Sequence, residues 1–199
     1  MLDSPNAIFE YHDLIEAIVL ALERRDIHTL YHSRRVSNIT ECICRILGLP
    51  CEQTEYYHLA ADLHDIGKIG VRDAVQLKES TLDESEWQEM RTHAEISGEI
   101  LAKVERFQSI ADIVRHHHER WDGKGYPDRL SGEAIPFGSR IIAVADSIDA
   151  MLSDRSYRRA LPSEVCQAEV ARNIGVMYNP QVANEVISHW DEVLKARDK

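Results

Sequence analysis

Asp146 stands in the middle of Arg140-Ile141-Ile142-Ala143-Val144-Ala145-Asp146-Ser147-Ile148-Asp149-Ala150-Met151, a stretch apolar on nearly every face of a helix. A carboxylate buried there needs a partner, because an isolated buried charge is costly and is normally paired or bound to a metal. An arginine partner is the ordinary reading for one such residue. The histidines shift it. There are 10 of them in 199 residues, and several gather: His64 beside Asp65, His93 in a helical stretch, and His116-His117-His118 at the end of another. Histidines and carboxylates delivered by the ends of different helices suit a metal site assembled in a bundle core. Mixed imidazole and carboxylate donors favour iron, manganese or zinc over calcium.

Neighbours such as His64 and Asp65 point about 100° apart on a helix, so they do not easily take equivalent places on one small ion. They can line a pair of ions roughly 3.5–4 Å apart, with a carboxylate as the bridge. Two cations held that way suit phosphodiester hydrolysis: one yields hydroxide near neutral pH, and both stabilise charge on the phosphoryl oxygens.

Helices must position these groups. Tyr11, Leu14, Ile15, Ile18, Val19 and Leu22 recur at helical spacing and define a first helix. Val36, Ile39, Ile43, Ile46 and Leu47 define a second, stopped by Gly48 with Pro50 beyond. A third is expected from about Glu52 to Asp65, ending near Gly67. Thr81 with Glu84 reads as a capping box that opens a helix through Trp87 and Met90 to about Leu101. Further helices are expected over 110–118, 138–153, 163–174 and 180–196, the last with Asn179 as its cap and Pro180 in its first turn. The segment between His118 and Phe137, with Gly123, Gly125, Pro127, Gly132 and Pro136, has no periodicity and reads as a functional loop. No strand pattern of useful length appears. The expected fold is all-α: a single-domain helical bundle, with 1–25 as an N-terminal helix packing on or extending a catalytic domain of 26–199.

Composition narrows the function. The net charge of −11, without a cluster of Lys and Arg, disfavours a nucleic-acid binder. An acidic chain with an anionic substrate is reconciled by bound divalent cations, which are often the largest local charges in a site. No apolar run approaches the roughly 20 residues of a membrane span, and the first residues lack the pattern of a signal peptide. Cys42, Cys44, Cys51 and Cys166 read as reduced thiols, which together places the chain in the cytoplasm.

His64-Asp65-Ile66-Gly67-Lys68 resembles the signature of the HD superfamily of metal phosphohydrolases. The string His117-His118-Glu119-Arg120-Trp121-Asp122-Gly123-Lys124-Gly125-Tyr126-Pro127, followed by Arg140-Ile141 and Asp146, is similar to the extended motif of its HD-GYP branch. The resemblance covers roughly Asp26 to Asn179 and implies an HD-domain bundle that hydrolyses cyclic di-GMP to linear pGpG and in some members onward to GMP. It implies metal ligation by His32, His64, Asp65, His93, His117, His118 and Asp146, with Asp65 as the bridge. Lys68 would contact the scissile phosphate, making Asp65 and Lys68 the catalytic pair. Asp149, Arg155 and Arg158 would contact substrate, as would the entrance loop at Gly125, Tyr126 and Pro127. Members with a third metal carry glutamate four residues before the first ligand histidine; here His28 stands there, so two ions, iron or manganese, are expected, with His28 as an optional extra ligand. In the family the same loop is linked to contacts with diguanylate cyclase domains.

His116 is expected to face away from the cluster, and His12, His58 and His189 to be surface or packing residues. Two other readings stand beside cyclic di-GMP hydrolysis. One is the same chemistry on a mixed cyclic dinucleotide or (p)ppGpp; the other is a catalytically idle cyclic di-GMP sensor acting through a protein partner.

Overall fold

A computed structural model describes residues 6–25, 31–154 and 159–199. The described residues form ten α-helices and no β-strand beyond an isolated bridge between Ile174 and Tyr178. In chain order they are α1 (Asn6–Glu23), α2 (His32–Ile46), α3 (Cys51–Asp62), the single turn α4 (Asp73–Gln76), α5 (Glu84–Ala102), α6 (Gln108–Arg115), α7 (Phe137–Leu152), α8 (Ser163–Arg172), α9 (Pro180–Ser188) and α10 (Trp190–Arg197). The fold is the all-α bundle expected. None of these helices is long and apolar enough to cross a membrane.

Helix α7 runs through the middle. Ile141, Ile142, Val144, Ala145 and Ile148 are fully buried, and α2 meets it with Val36, Ile39 and Ile43. Burying a side chain of this size stabilises the fold by about 1.5–3 kcal/mol, so these two helices set the frame. Gly138 lets α7 lie close to α3, because a Cβ there would fall 2.9 Å from the Tyr57 ring. Ile15 of α1 and Val193 of α10 reach the same core, so the first and last helices both close the bundle.

Several helix ends differ from expectation, for local reasons. The capping box of α5 is Asp83 with Glu86, not Thr81 with Glu84: Asp83 Oδ1 accepts from the Glu86 amide at 2.9 Å, and Glu86 Oε2 accepts from the Asp83 amide at 2.8 Å. Aspartate outranks threonine as a cap, and the same four-residue pattern fits both registers. Helix α3 stops at Asp62 and α6 at Arg115, three residues short of the expected ends. The expected last helix is two, broken at His189. Asn179 caps α9 as expected, its Oδ1 accepting from the Val182 amide at 3.0 Å.

Candidate metal centre

The early ends of α3 and α6 bear directly on the site. His64-Asp65 and His117-His118 lie in the turns that follow these helices. Leu63, Asp65 and His116 take φ near −100° and ψ near 0°, the bridge region common in active sites. The paired residues are therefore not held to helical spacing. A clip from α5 fixes the first turn: Ser97 Oγ accepts from the Gly67 amide at 2.7 Å and donates to the His64 carbonyl at 2.9 Å. Only glycine fits at 67, since a Cβ there would lie 2.0 Å from the His93 carbonyl oxygen. Ser139 of α7 secures the end of α6 by donating to the Ile113 carbonyl at 2.6 Å.

His32 is the first residue of α2. The backbone amides there are held by Glu23 at the end of α1, whose carboxylate accepts from Tyr31 at 2.7 Å and from Ser33 at 2.8 Å. A carboxylate at a helix N-terminus satisfies orphan donors and complements the helix dipole. His93 comes from α5 and Asp146 from the middle of α7.

All seven expected ligands are brought together, in three overlapping groups whose ligand atoms lie within 4.8 Å of one another: His93, His117 and His118; His32, His64 and Asp146; and His64, Asp65 and His117. Asp65 lies between the first two groups. Its Oδ1 is 3.4 Å from His93 Nε2, and its Oδ2 is 3.4 Å from His64 Nε2 and 3.8 Å from His32 Nε2. Asp146 Oδ1 is 3.2 Å from His32 Nε2.

Three histidines are oriented alike. The Nδ1–H of His64, His93 and His117 donates to the carbonyl of Ala61, Met90 and Val114 at 2.6, 2.7 and 2.5 Å. Each partner is three residues upstream. With the proton on Nδ1, each Nε2 turns a lone pair inward, as a metal ligand requires. His64 Nε2 and His117 Nε2 are buried with no hydrogen-bond partner, and the Nε2 atoms of His93 and His118 face each other at 3.1 Å. Inward acceptors without donors are costly unless a cation meets them. The residues fit divalent metal ions.

Electrostatics agree. Burial, with His118 beside it, keeps His117 neutral far below the usual histidine range, and burial with His93 pushes His118 down to about 3. Burial lowers His93 as well. Burial opposes a proton on His64 too, but the Asp65 carboxylate overrides it and lifts that imidazole to about 9. Burial would raise Asp65, yet Lys68 and His64 hold it ionised; burial would raise Asp146, yet His32 and His64 do the same.

Lys68 Nζ lies 2.5 Å from Asp65 Oδ2 and is partly exposed, at the edge of the cluster. Tyr126 lays its ring over His118, with centroids 4.8 Å apart, and burial keeps its phenol protonated. Pro127 is half-buried beside it. Two expected substrate contacts, Gly125 and Asp149, are buried. Gly125 is buried, and a Cβ there would lie 2.4 Å from the Arg120 amide nitrogen; its role is close passage of the loop. Asp149 is fully buried behind the cluster: its Oδ2 accepts from His32 Nδ1 at 2.7 Å, and Oδ1 accepts from Arg35 and Arg197. Asp149 thus supports His32 from behind its ring, on the Nδ1 side. Arg155, Arg158 and His28 lie outside the described residues. His116 faces away as expected, held by the Asp112 carbonyl and Asp128. The supporting residues Glu23, Ser97 and Arg197 carried no motif in the sequence.

The HD domain family model matches residues 17–182. A 3'3'-cGAMP-specific phosphodiesterase of Vibrio cholerae is 35% identical over 187 residues, which are 93% of this chain and 36% of that protein. A cyclic di-GMP phosphodiesterase of Thermotoga maritima is 36% identical over 190 residues, 92% of this chain and 52% of its own length. The chain thus spans about half or less of these relatives. A crystal structure of a cyclic GMP-AMP-specific phosphodiesterase of V. cholerae superposes with a TM-score of 0.72 at 20% identity, covering 94% of this chain and 50% of that one. Family model, bundle and paired His-Asp turns agree: the chain belongs to the HD domain family and carries the extended motif of its HD-GYP branch.

Proposed function

We propose that this chain is a metal-dependent phosphodiesterase that hydrolyses cyclic di-GMP to linear pGpG, and onward to GMP where a second cleavage follows. The observation that carries the reading is the set of buried, inward-facing imidazole Nε2 atoms around Asp65, two of them without a hydrogen-bond partner. His32, His64, Asp65, His93, His117, His118 and Asp146 would hold two divalent ions, iron or manganese by donor type. Such ions supply Lewis acidity toward water and toward the phosphoryl oxygens.

The chain's own residues do the rest. The three local carbonyl contacts hold the imidazoles of His64, His93 and His117 aimed inward before any substrate arrives. Lys68, partly exposed beside Asp65, can turn its ammonium to the scissile phosphate and steady the departing oxygen. Tyr126 and Pro127 cover His118 and shape the entrance. Arg155 and Arg158 are assigned to the substrate's phosphate and guanine edges, where a planar guanidinium fork is suited. The same loop is a proposed contact for diguanylate cyclase domains.

A second substrate has a specific observation behind it: one of the relatives is named for 3'3'-cGAMP. The test is turnover of cyclic di-GMP and 3'3'-cGAMP by anaerobically purified protein loaded with ferrous iron or manganese, beside Asp65→Ala. Linear product from the wild type is expected, with metal and turnover both lost in the variant. The variant's turnover should fall by on the order of a hundredfold or more, since even residues behind metal ligands are worth 10–100-fold. Full metal occupancy without turnover of either nucleotide would reject the enzyme and favour a sensor.

A further inference from the structure

We infer that Arg197, in the last turn of α10, is a positioning residue of the metal centre: it pins Asp149 so that Asp149 fixes His32. The inference rests on reading His32 as a metal ligand.

His32 is held differently from the histidines oriented by carbonyls three residues upstream. Its Nδ1 meets a carboxylate, Asp149 Oδ2, at 2.7 Å. Asp149 is fully buried, 117 residues away in sequence, on α7. A carboxylate can swing about its own axis, so it aims an imidazole only if its other oxygen is tied. Two guanidinium groups tie it. Arg35 Nε donates to Oδ1 at 2.6 Å and Arg197 Nε donates to the same oxygen at 2.8 Å. Together they fill the lone pairs of Oδ1, while Oδ2 makes its shortest contact with His32 and longer ones with Arg35 Nη2 at 3.1 Å and Ser153 Oγ at 3.3 Å.

The two arginines are not equivalent. Arg35 is one turn along α2 from His32 and moves with it. It already holds both Asp149 oxygens as a two-point pair, reaching Oδ2 at 3.1 Å, so without Arg197 its pull on the carboxylate loses its counterweight. Arg197 comes from α10 and is anchored on the end of α7, donating from Nη2 to the Leu152 carbonyl at 3.3 Å and to Ser153 Oγ at 2.8 Å, a hydroxyl that itself reaches Asp149 Oδ2 at 3.3 Å. It holds Asp149 from a helix other than the one that carries His32. Carboxylates that orient a ligand histidine raise its basicity and fix its tautomer, so Arg197 acts on the metal through two intervening side chains.

The test compares wild type with Arg197→Met, Arg197→Lys and Val193→Ala. Val193 is fully buried on the same helix with an apolar side chain, so its truncation removes packing without removing a hydrogen bond. Two quantities are read: manganese affinity of the chelator-stripped protein, and the His32 imidazole nitrogen and proton signals of the metal-free chain. Arg197→Met should weaken manganese binding about tenfold and abolish the Nδ1–H signature of His32. Arg197→Lys should restore part of both, and Val193→Ala neither lose affinity nor shift His32 at an equal drop in Tm. If Arg197→Met loses only Tm, with affinity and the His32 signals as in wild type, Arg197 is a structural clip and the inference falls. Should Arg197→Met fail to fold, Arg197→Lys decides: weaker binding and a shifted His32 relative to Val193→Ala support the inference, and wild-type behaviour overturns it. Wild type that binds no manganese would reject the metal reading itself, while the His32 signals still report whether Arg197 holds it.

Discussion

Both halves of the centre contain a histidine held by a carbonyl three residues upstream, and they differ at His32. In the half made by His93, His117 and His118, the orienting contacts of His93 and His117 are carbonyls three residues upstream, belonging to the same turn of chain. In the half made by His32, His64 and Asp146, His32 depends on a carboxylate of α7 and a guanidinium of α10. The first arrangement survives any change that leaves its helix end intact. The second requires three distant elements to arrive together. Local support resists side-chain substitution because a backbone carbonyl cannot be mutated away, whereas remote support can be removed by one residue.

The largest break in the comparison is to delete one half. His118→Ala should leave the His32, His64 and Asp146 group and its ion, so metal content falls from two to one per chain while turnover is lost; elemental analysis beside an activity assay reads both. Asp149→Asn strikes the remote support alone. Manganese affinity should drop 10–100-fold, and stability by about 1–3 kcal/mol as Arg35 and Arg197 lose a charged acceptor, measured by metal titration and by denaturation. Smaller again is Gly67→Ala, which forces a Cβ against the His93 carbonyl. Overpacking of this kind costs about 1–3 kcal/mol, and the lowered Tm should come with disturbance of both halves, since the turn of His64 and the backbone of α5 are pushed apart together.

The mildest perturbation is pH. His64, lifted to about 9 by Asp65, carries a proton at neutral pH that a cation must displace. Metal affinity should therefore rise as pH climbs toward 9 and level off above it, with proton release on loading at pH 7 read by calorimetry in two buffers. An affinity flat between pH 7 and 9 would place that proton elsewhere.

What the sequence made legible follows the same division. Asp146 within an apolar helix and the two His-Asp or His-His pairs could be read as a cluster because their chemistry conflicts with burial. Helix bodies were legible from periodicity. Their ends were not: Asp83 and Thr81 offer competing caps, and nothing local stops α3 at Asp62 rather than Asp65. Asp149 is expected to contact substrate only through the family resemblance; packing shows that it faces His32. Ser97 and Arg197 are ordinary residues whose roles exist through partners 33 and 48 positions away.

The reach of the His32–Asp149–Arg197 chain also sets an order of assembly during synthesis. Proteins begin to fold from the N-terminal side as they are made. The carbonyl-held histidines can take their orientation once α3, α5 and α6 have formed, while most of the C-terminal part is still untranslated. His32 is translated before any of them and yet is secured last, when residue 197 emerges. Completion of the His32 end therefore requires that α10 has docked.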